Sequence, residues 1–181
     1  MQKLWTLLLL TLWASLSFAV PPLEGTDVIS QKEIKIATTD KEATVVVFVS
    51  AKCPCSASHE SLLKSYSAEF KNVQFAGIHA NSDESPEQTQ QHFAEAQLPF
   101  PVIQDRKSKL ANELGALKTP HAFVFNKKGE LVYHGGVTDS HVGPSAKKFF
   151  LKEVLEDLHA GKEPRHKEGR ALGCYIPRED D

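Results

Sequence analysis

The residues of this chain best suited to chemistry are its three cysteines. Two of them stand as Cys53-Pro54-Cys55, just after an apolar, β-branched run over residues 44–50 (TVVVFVS). Such a run marks a central strand covered on both faces. Leu62, Leu63, Tyr66 and Phe70 then recur at helical spacing, which places Cys53 where a strand gives way to a helix. Unpaired backbone N–H groups and the helix dipole favour an anion there. A thiol in that position has its pKa lowered and is a competent nucleophile near neutral pH. Lys52 pushes the same way, and Pro54 suits the first helical turn. A lone cysteine after a strand is ordinarily a small buried hydrophobe. Two cysteines flanking a proline in a polar helix start fit a reactive site better.

Two further elements bear on these thiols. Lys118-Thr119-Pro120-His121 stands directly before another strand. A proline entering a strand removes a ladder donor, and X-Pro is where cis peptides occur. Cys174 lies in an apolar patch, residues 171–176, within an otherwise charged tail.

The elements that must hold these residues alternate. Residues 32–37 (KEIKIA) suit a short edge strand and 73–80 (VQFAGIHA) a second buried strand. Ser85-Pro86 opens a polar, acidic helix that Pro99 and Pro101 break. Residues 102–103 form a short strand. Asp105 caps a helix carrying Leu110, Ala111 and Leu114, closed by Gly115. Residues 122–125 and 131–133, joined by Asn126-Lys127-Lys128-Gly129, make a hairpin. A last helix over 144–159 places Phe150, Val154, Leu155 and Leu158 on one face. The order β-β-α-β-α-β-α-β-β-α implies an α/β layer fold with a mixed sheet. Asp83, Glu84 and Glu87 read as solvated carboxylates at a helix start. Asp139-Ser140-His141 reads as a loop, and His59, His92, His159 and His166 as surface residues.

The chain has 181 residues, a formal charge of −2, and 41% hydrophobic and 24% charged residues. This composition excludes disordered and low-complexity classes. It supplies no polyanion-binding surface, so no nucleic-acid partner is expected. Lys3, the apolar run over 4–16 and Ser17-Phe18-Ala19 compose a secretory signal peptide cleaved after Ala19. The run is short and interrupted by Thr6, Thr11 and Ser15, so no stable membrane anchor is expected. Cleavage leaves 162 residues and removes one lysine and no acid, which moves the charge to −3. All three cysteines are kept, in a periplasmic or extracellular compartment where a disulfide can persist. The expected organisation is a signal peptide (1–19), a leader (20–27), one domain (28–161) and a charged tail (162–181) carrying Cys174.

Residues 45–56 (VVVFVSAKCPCS) and 99–136 (PFPVIQDRKSKLANELGALKTPHAFVFNKKGELVYHGG) resemble the thioredoxin-like superfamily. More narrowly they resemble its redoxin branch, which includes the AhpC/TSA peroxiredoxins and the TlpA/ResA-type exported thiol–disulfide proteins. The resemblance spans about residues 28–176. It implies a thioredoxin-like fold, a central mixed sheet flanked by helices. It further implies that Cys53 is a nucleophile towards disulfides or peroxides. Thr119 and Pro120, joined by a cis peptide, would be the substrate platform beside it. The implied partners are protein or small-thiol disulfides, or peroxide, and an upstream thiol reductant; no cofactor is implied. Gly173-Cys174-Tyr175-Ile176 is similar to the Gly-Cys-x-Ile ending of some exported redoxin-like proteins.

The chain departs from these patterns twice. The Cys-x-x-Cys of dithiol oxidoreductases is replaced, with Ser56 at the fourth position and the second cysteine at Cys55. The resolving cysteine is then Cys55 or Cys174. A Cys53–Cys55 bond closes a very small, strained ring, and the apolar patch around Cys174 suggests docking on the body. Peroxiredoxins favour Pro-x-x-x-Thr/Ser-x-x-Cys. Ser50 is present, but Val46 stands where the proline would. Residues 119–124 lack the arginine of that family, for which Arg106 is a candidate if the fold brings it back. Disulfide exchange is therefore favoured over an antioxidant peroxidase. Two other readings stay open. One is a Cu(I) chaperone with Cys53, Cys55 and His121 as ligands; the other is a binding domain without turnover.

Overall fold

The computed structural model describes residues 19–38 and 41–178. Apart from Ala19, the signal-peptide segment lies outside the described residues. In chain order the elements are β1 (Glu24–Thr26), β2 (Glu33–Lys35), β3 (Ala43–Val49), α1 (Pro54–Glu69), β4 (Val73–His79), α2 (Pro86–Ala96), β5 (Val102–Gln104), α3 (Lys109–Leu114), β6 (Lys118–Thr119), β7 (His121–Asn126), β8 (Leu131–Gly135), α4 (Phe150–His159) and β9 (Cys174–Tyr175).

The main sheet has the order β5-β4-β3-β7-β8. β3 runs parallel to β4 and antiparallel to β7, so the sheet is mixed. Every residue of β3 is buried, as its uninterrupted apolar run requires. Alternation sends Val45, Val47 and Val49 into a core with Leu63, Tyr66, Leu151, Val154 and Leu155. Val46 and Phe48 go into a second core with Leu110, Ala111, Phe123, Leu23 and Ile176. Helices α1 and α4 thus cover one face, while α3, the leader and the tail cover the other. A mixed sheet flanked by helices is the architecture the sequence implies.

Several local expectations change. Residues 33–35 pair with β1 in a separate two-stranded ribbon rather than at the edge of the main sheet. Leader residue Leu23 is only 1% exposed. Asp105 does cap α3, but across an intervening 3-10 turn; its carboxylate accepts the Leu110 and Ala111 N–H groups at 3.0 and 2.9 Å. The last helix starts at Phe150 rather than 144. Pro144 sits in a separate 3-10 turn, and the Asp139 carboxylate takes the Lys147 and Lys148 N–H groups at 2.9 and 3.0 Å. Leu151, not Phe150, is therefore the buried first anchor of that face. Among the described residues, no helix is long and apolar enough to cross a membrane.

The described part of the tail is held along its length. Asp157 accepts a bidentate pair from Arg165, and the chain then runs beside β8, where Gly169 N–H donates to the His134 carbonyl at 3.0 Å. It then forms β9, antiparallel to β6.

Candidate active site

Cys53 is the N-cap of α1, with φ −82 and ψ 112 and Pro54 following in the first turn. Its carbonyl accepts the Ala57 N–H at 3.0 Å. The turn that delivers it from β3 is cross-braced. Ser50 Oγ accepts the Cys53 N–H at 3.0 Å, and Ser56 Oγ accepts the Ser50 N–H at 3.1 Å. Ser50 in turn donates its hydroxyl hydrogen to Glu84. The second Glu84 oxygen accepts the Ala51 N–H at 2.8 Å and lies 3.1 Å from His79 Nε2. Glu84 is thus a buried brace and not the solvated carboxylate its acidic neighbours suggest: its side chain is fully buried. Burial pushes its carboxyl up, but the hydrogen bonds from His79, Ser50 and Ala51 outweigh burial and hold it below the ordinary value.

The other wall is the short β6–β9 pair. The Thr119–Pro120 peptide is cis, and Thr119 stands in register with Cys174. A Cβ on Gly173 would lie 1.9 Å from the Thr119 carbonyl oxygen, so the close approach of the tail requires glycine there. Ile176 anchors the far side, 6% exposed, with its N–H on the Leu117 carbonyl at 3.0 Å. Tyr175 is exposed and lies under Lys118, whose Nζ is 4.8 Å from the ring centroid.

These two walls bring Cys174 Sγ to 2.6 Å from Cys53 Sγ, both cysteines being free thiols. The Cys53 thiol also contacts the Thr119 carbonyl at 3.2 Å. Burial pushes the Cys53 thiol up. Hydrogen bonds from Cys174, from Thr119 and from the Ser56 backbone outweigh it, so its pKa lies below the ordinary thiol value. The Thr119 hydroxyl is buried with no hydrogen-bond partner of its own and is free to serve as such a donor. Cys174 moves the opposite way, up to about 12, through burial and its contact with Cys53. Of the two thiols, Cys53 is the one that gives up its proton more readily. Lys52, expected to assist, is tied to Asp83 instead, by its carbonyl and at 3.9 Å by its carboxylate.

Cys55 lies one residue into α1. Burial and the charge on Cys53 push its thiol up. Its Sγ is 3.6 Å from His141 Nδ1, a residue whose sequence read only as part of a loop. His59 is also no surface residue. It is 1% exposed, with Nδ1 2.7 Å from the Cys55 carbonyl and Nε2 2.8 Å from Thr138 Oγ1. The sulfurs of Cys53, Cys55 and Cys174 lie within 4.8 Å of one another. His121, the expected third ligand of the copper reading, is not in that cluster. Its ring packs at 4.5 Å on Phe123 and 6.3 Å from His134. Burial there, reinforced by His134, lowers its pKa to about 4. Arg106 lines a cleft with Asn81, Glu84 and Asp105, and among the described residues no arginine is hydrogen-bonded to the Cys53 thiol.

A helix-capping thiol after the central strand of a mixed sheet, facing a cis-proline, defines a thioredoxin-like protein of the redoxin branch. The chain belongs to the AhpC/TSA family, whose model matches residues 17–134. An uncharacterized conserved protein from Geobacillus kaustophilus is 25% identical and superposes with a TM-score of 0.81, over 92% of this chain and 94% of its own. A hypothetical protein from Sinorhizobium meliloti is 21% identical, with a TM-score of 0.81 over 93% and 97%. A secreted disulfide oxidoreductase of Mycobacterium tuberculosis, homologous to E. coli DsbE, shares the fold at 17% identity, with a TM-score of 0.54 over 61% and 80%. No curated protein matches the sequence.

Proposed function

We propose that this protein is an exported thiol–disulfide oxidoreductase with Cys53 as nucleophile and Cys174 as resolving cysteine. The observation that carries the proposal is the 2.6 Å separation of those two sulfurs beside the Thr119–Pro120 cis peptide. The Cys53 thiolate attacks one sulfur of a substrate disulfide, forming a mixed disulfide and releasing the other sulfur as a thiolate. That thiolate, or solvent, takes the Cys174 proton. The Cys174 sulfur then attacks Cys53 Sγ, closes the Cys53–Cys174 disulfide and releases the substrate's second thiolate. The substrate gains two electrons and the protein loses two. An upstream dithiol restores the reduced protein, and the potentials of the two partners set the net direction. Thr119 and Pro120 form the platform against which the substrate lies.

Export is supported by the signal-peptide pattern over 1–19. The peroxidase alternative is less well supported. The Ser50 hydroxyl is held by Glu84 and the Cys53 N–H, and thiolate stabilisation comes from Cys174, Thr119 and Ser56 rather than from arginine. The test measures insulin reduction with dithiothreitol and, separately, hydrogen peroxide consumption. Insulin turnover that disappears in Cys53→Ser is expected. Peroxide turnover without disulfide turnover would overturn the reading.

A further inference from the structure

We propose that the reduced protein holds one Zn2+ in a Cys3His site made by Cys53, Cys55, Cys174 and His141. The sequence does not assemble this set, because its four residues come from the start of α1, the tail strand and the loop before α4. The fold brings the three sulfurs within 4.8 Å of one another. It adds His141 Nδ1 at 3.6 Å from Cys55 Sγ. In a tetrahedral zinc site with Zn–S about 2.3 Å and Zn–N about 2.0–2.1 Å, neighbouring donors lie about 3.5–3.8 Å apart. The Cys55–His141 separation already has that value. The Cys53–Cys174 pair, at 2.6 Å, has to open by about 1 Å to reach it. Cys55 and Cys174 are only partly buried and His141 is exposed, so an ion has a route in.

Three soft thiolates and one imidazole suit a borderline-soft d10 cation. Binding exchanges the thiol protons for the ion and releases them to solvent. The proposal goes beyond disulfide exchange but shares its nucleophile, so the two states exclude each other. A substrate disulfide that oxidises Cys53 and Cys174 takes their two electrons, converts two of the three sulfur ligands to a disulfide, and expels Zn2+. The ion in turn shields the reduced thiols.

The test titrates the reduced protein with Co2+ and then Zn2+. The expected result is one Co2+ per chain with tetrahedral ligand-field bands and a thiolate charge-transfer band, displaced by one Zn2+. The oxidised protein, a non-binding control that needs no mutation, shows neither band. Cys55→Ser and Cys174→Ser each weaken Zn2+ binding by about tenfold or more, and His141→Ala shifts the cobalt spectrum. Absence of tetrahedral bands in the fully reduced protein overturns the proposal. So does Zn2+ affinity unchanged by Cys174→Ser, or an unshifted cobalt spectrum in His141→Ala. Turnover in metal-free buffer is scored separately, so a failure of disulfide exchange and a failure of metal binding are read from different signals.

Discussion

The thiols of Cys53 and Cys174 lie 2.6 Å apart although 121 positions of chain separate them. The helix start fixes one and a two-residue strand fixes the other. Oxidation is therefore expected to join this pair and leave Cys55 free. Peptide mapping of the oxidised protein reads the outcome directly. Cys174→Ser is expected to accumulate a mixed disulfide on Cys53 and to lose turnover by about tenfold or more. A Cys53–Cys55 bond as the main product would assign the resolving role elsewhere.

Thr119 bears on the charge of Cys53. Its buried hydroxyl has no hydrogen-bond partner of its own, and a hydrogen bond donated by it lowers the Cys53 pKa. Thr119→Val keeps the shape and removes the donor, so the Cys53 pKa is expected to rise. Ultraviolet thiolate absorbance followed against pH gives the shift, and an unchanged titration would show that the hydroxyl is not the donor.

Glu84 braces the turn that carries Cys53. Its removal in Glu84→Ala leaves the Ser50, Ala51 and His79 donors without their buried acceptor. A loss of about 2–4 kcal/mol of stability at neutral pH is expected, measured by urea unfolding. The folded pKa of Glu84 is depressed. Its contribution is therefore full above the unfolded carboxyl pKa and is lost as pH falls through the folded value. The gap between wild type and variant should accordingly narrow in acid.

His121 acts in a different window. Its pKa is lowered to about 4 by burial and by His134, against about 6.5 unfolded. Below the unfolded value the unfolded chain takes up a proton that the folded chain refuses. Stability is therefore expected to fall as pH drops from about 6.5 to about 4, by up to about 3 kcal/mol from this group. His121→Phe should flatten that part of the profile in denaturant titrations at pH 7 and pH 4.5. A profile parallel to wild type would mean that His121 ionises freely in the folded state.

Much of this architecture is legible in the sequence, and the illegible parts share a cause. β3, α1, β4 and the β7–β8 hairpin announce themselves because their own apolar periodicity decides their structure. The Cys53 placement follows from the same patterns. β1, β6 and β9 are two or three residues long, too short for any period to register. Glu84 and His59 look like surface residues because a polar side chain is buried only once tertiary partners close over it, and His141, which stays exposed, reaches Cys55 only through the folding of its loop. Asp139 shortens the last helix by capturing the Lys147 and Lys148 N–H groups, a contact that local helix propensity does not encode. His121 sits one residue past the cis-proline, yet its ring belongs to the Phe123–His134 stack.

Gly173 is the point where the tail can be tested without touching a thiol. Gly173→Ala sets a Cβ against the Thr119 carbonyl, and β9 is expected to lift from β6. Closure of the Cys53–Cys174 disulfide should slow, and the tail should become open to protease while the core keeps its stability. Unchanged closure kinetics would mean that the strand tolerates the displacement.

The β6 edge beside the cis-proline is occupied by the chain's own β9 strand. A tethered strand competes with any incoming peptide at an effective concentration set by its tether, about millimolar for short flexible linkers. A protein substrate at micromolar concentration does not displace such a rival by mass action. A substrate that pairs with the β6 edge would engage only during the intervals when the tail has lifted. For such a substrate the turnover rate would have a ceiling equal to the opening rate of the tail, a unimolecular constant that no increase in substrate can raise.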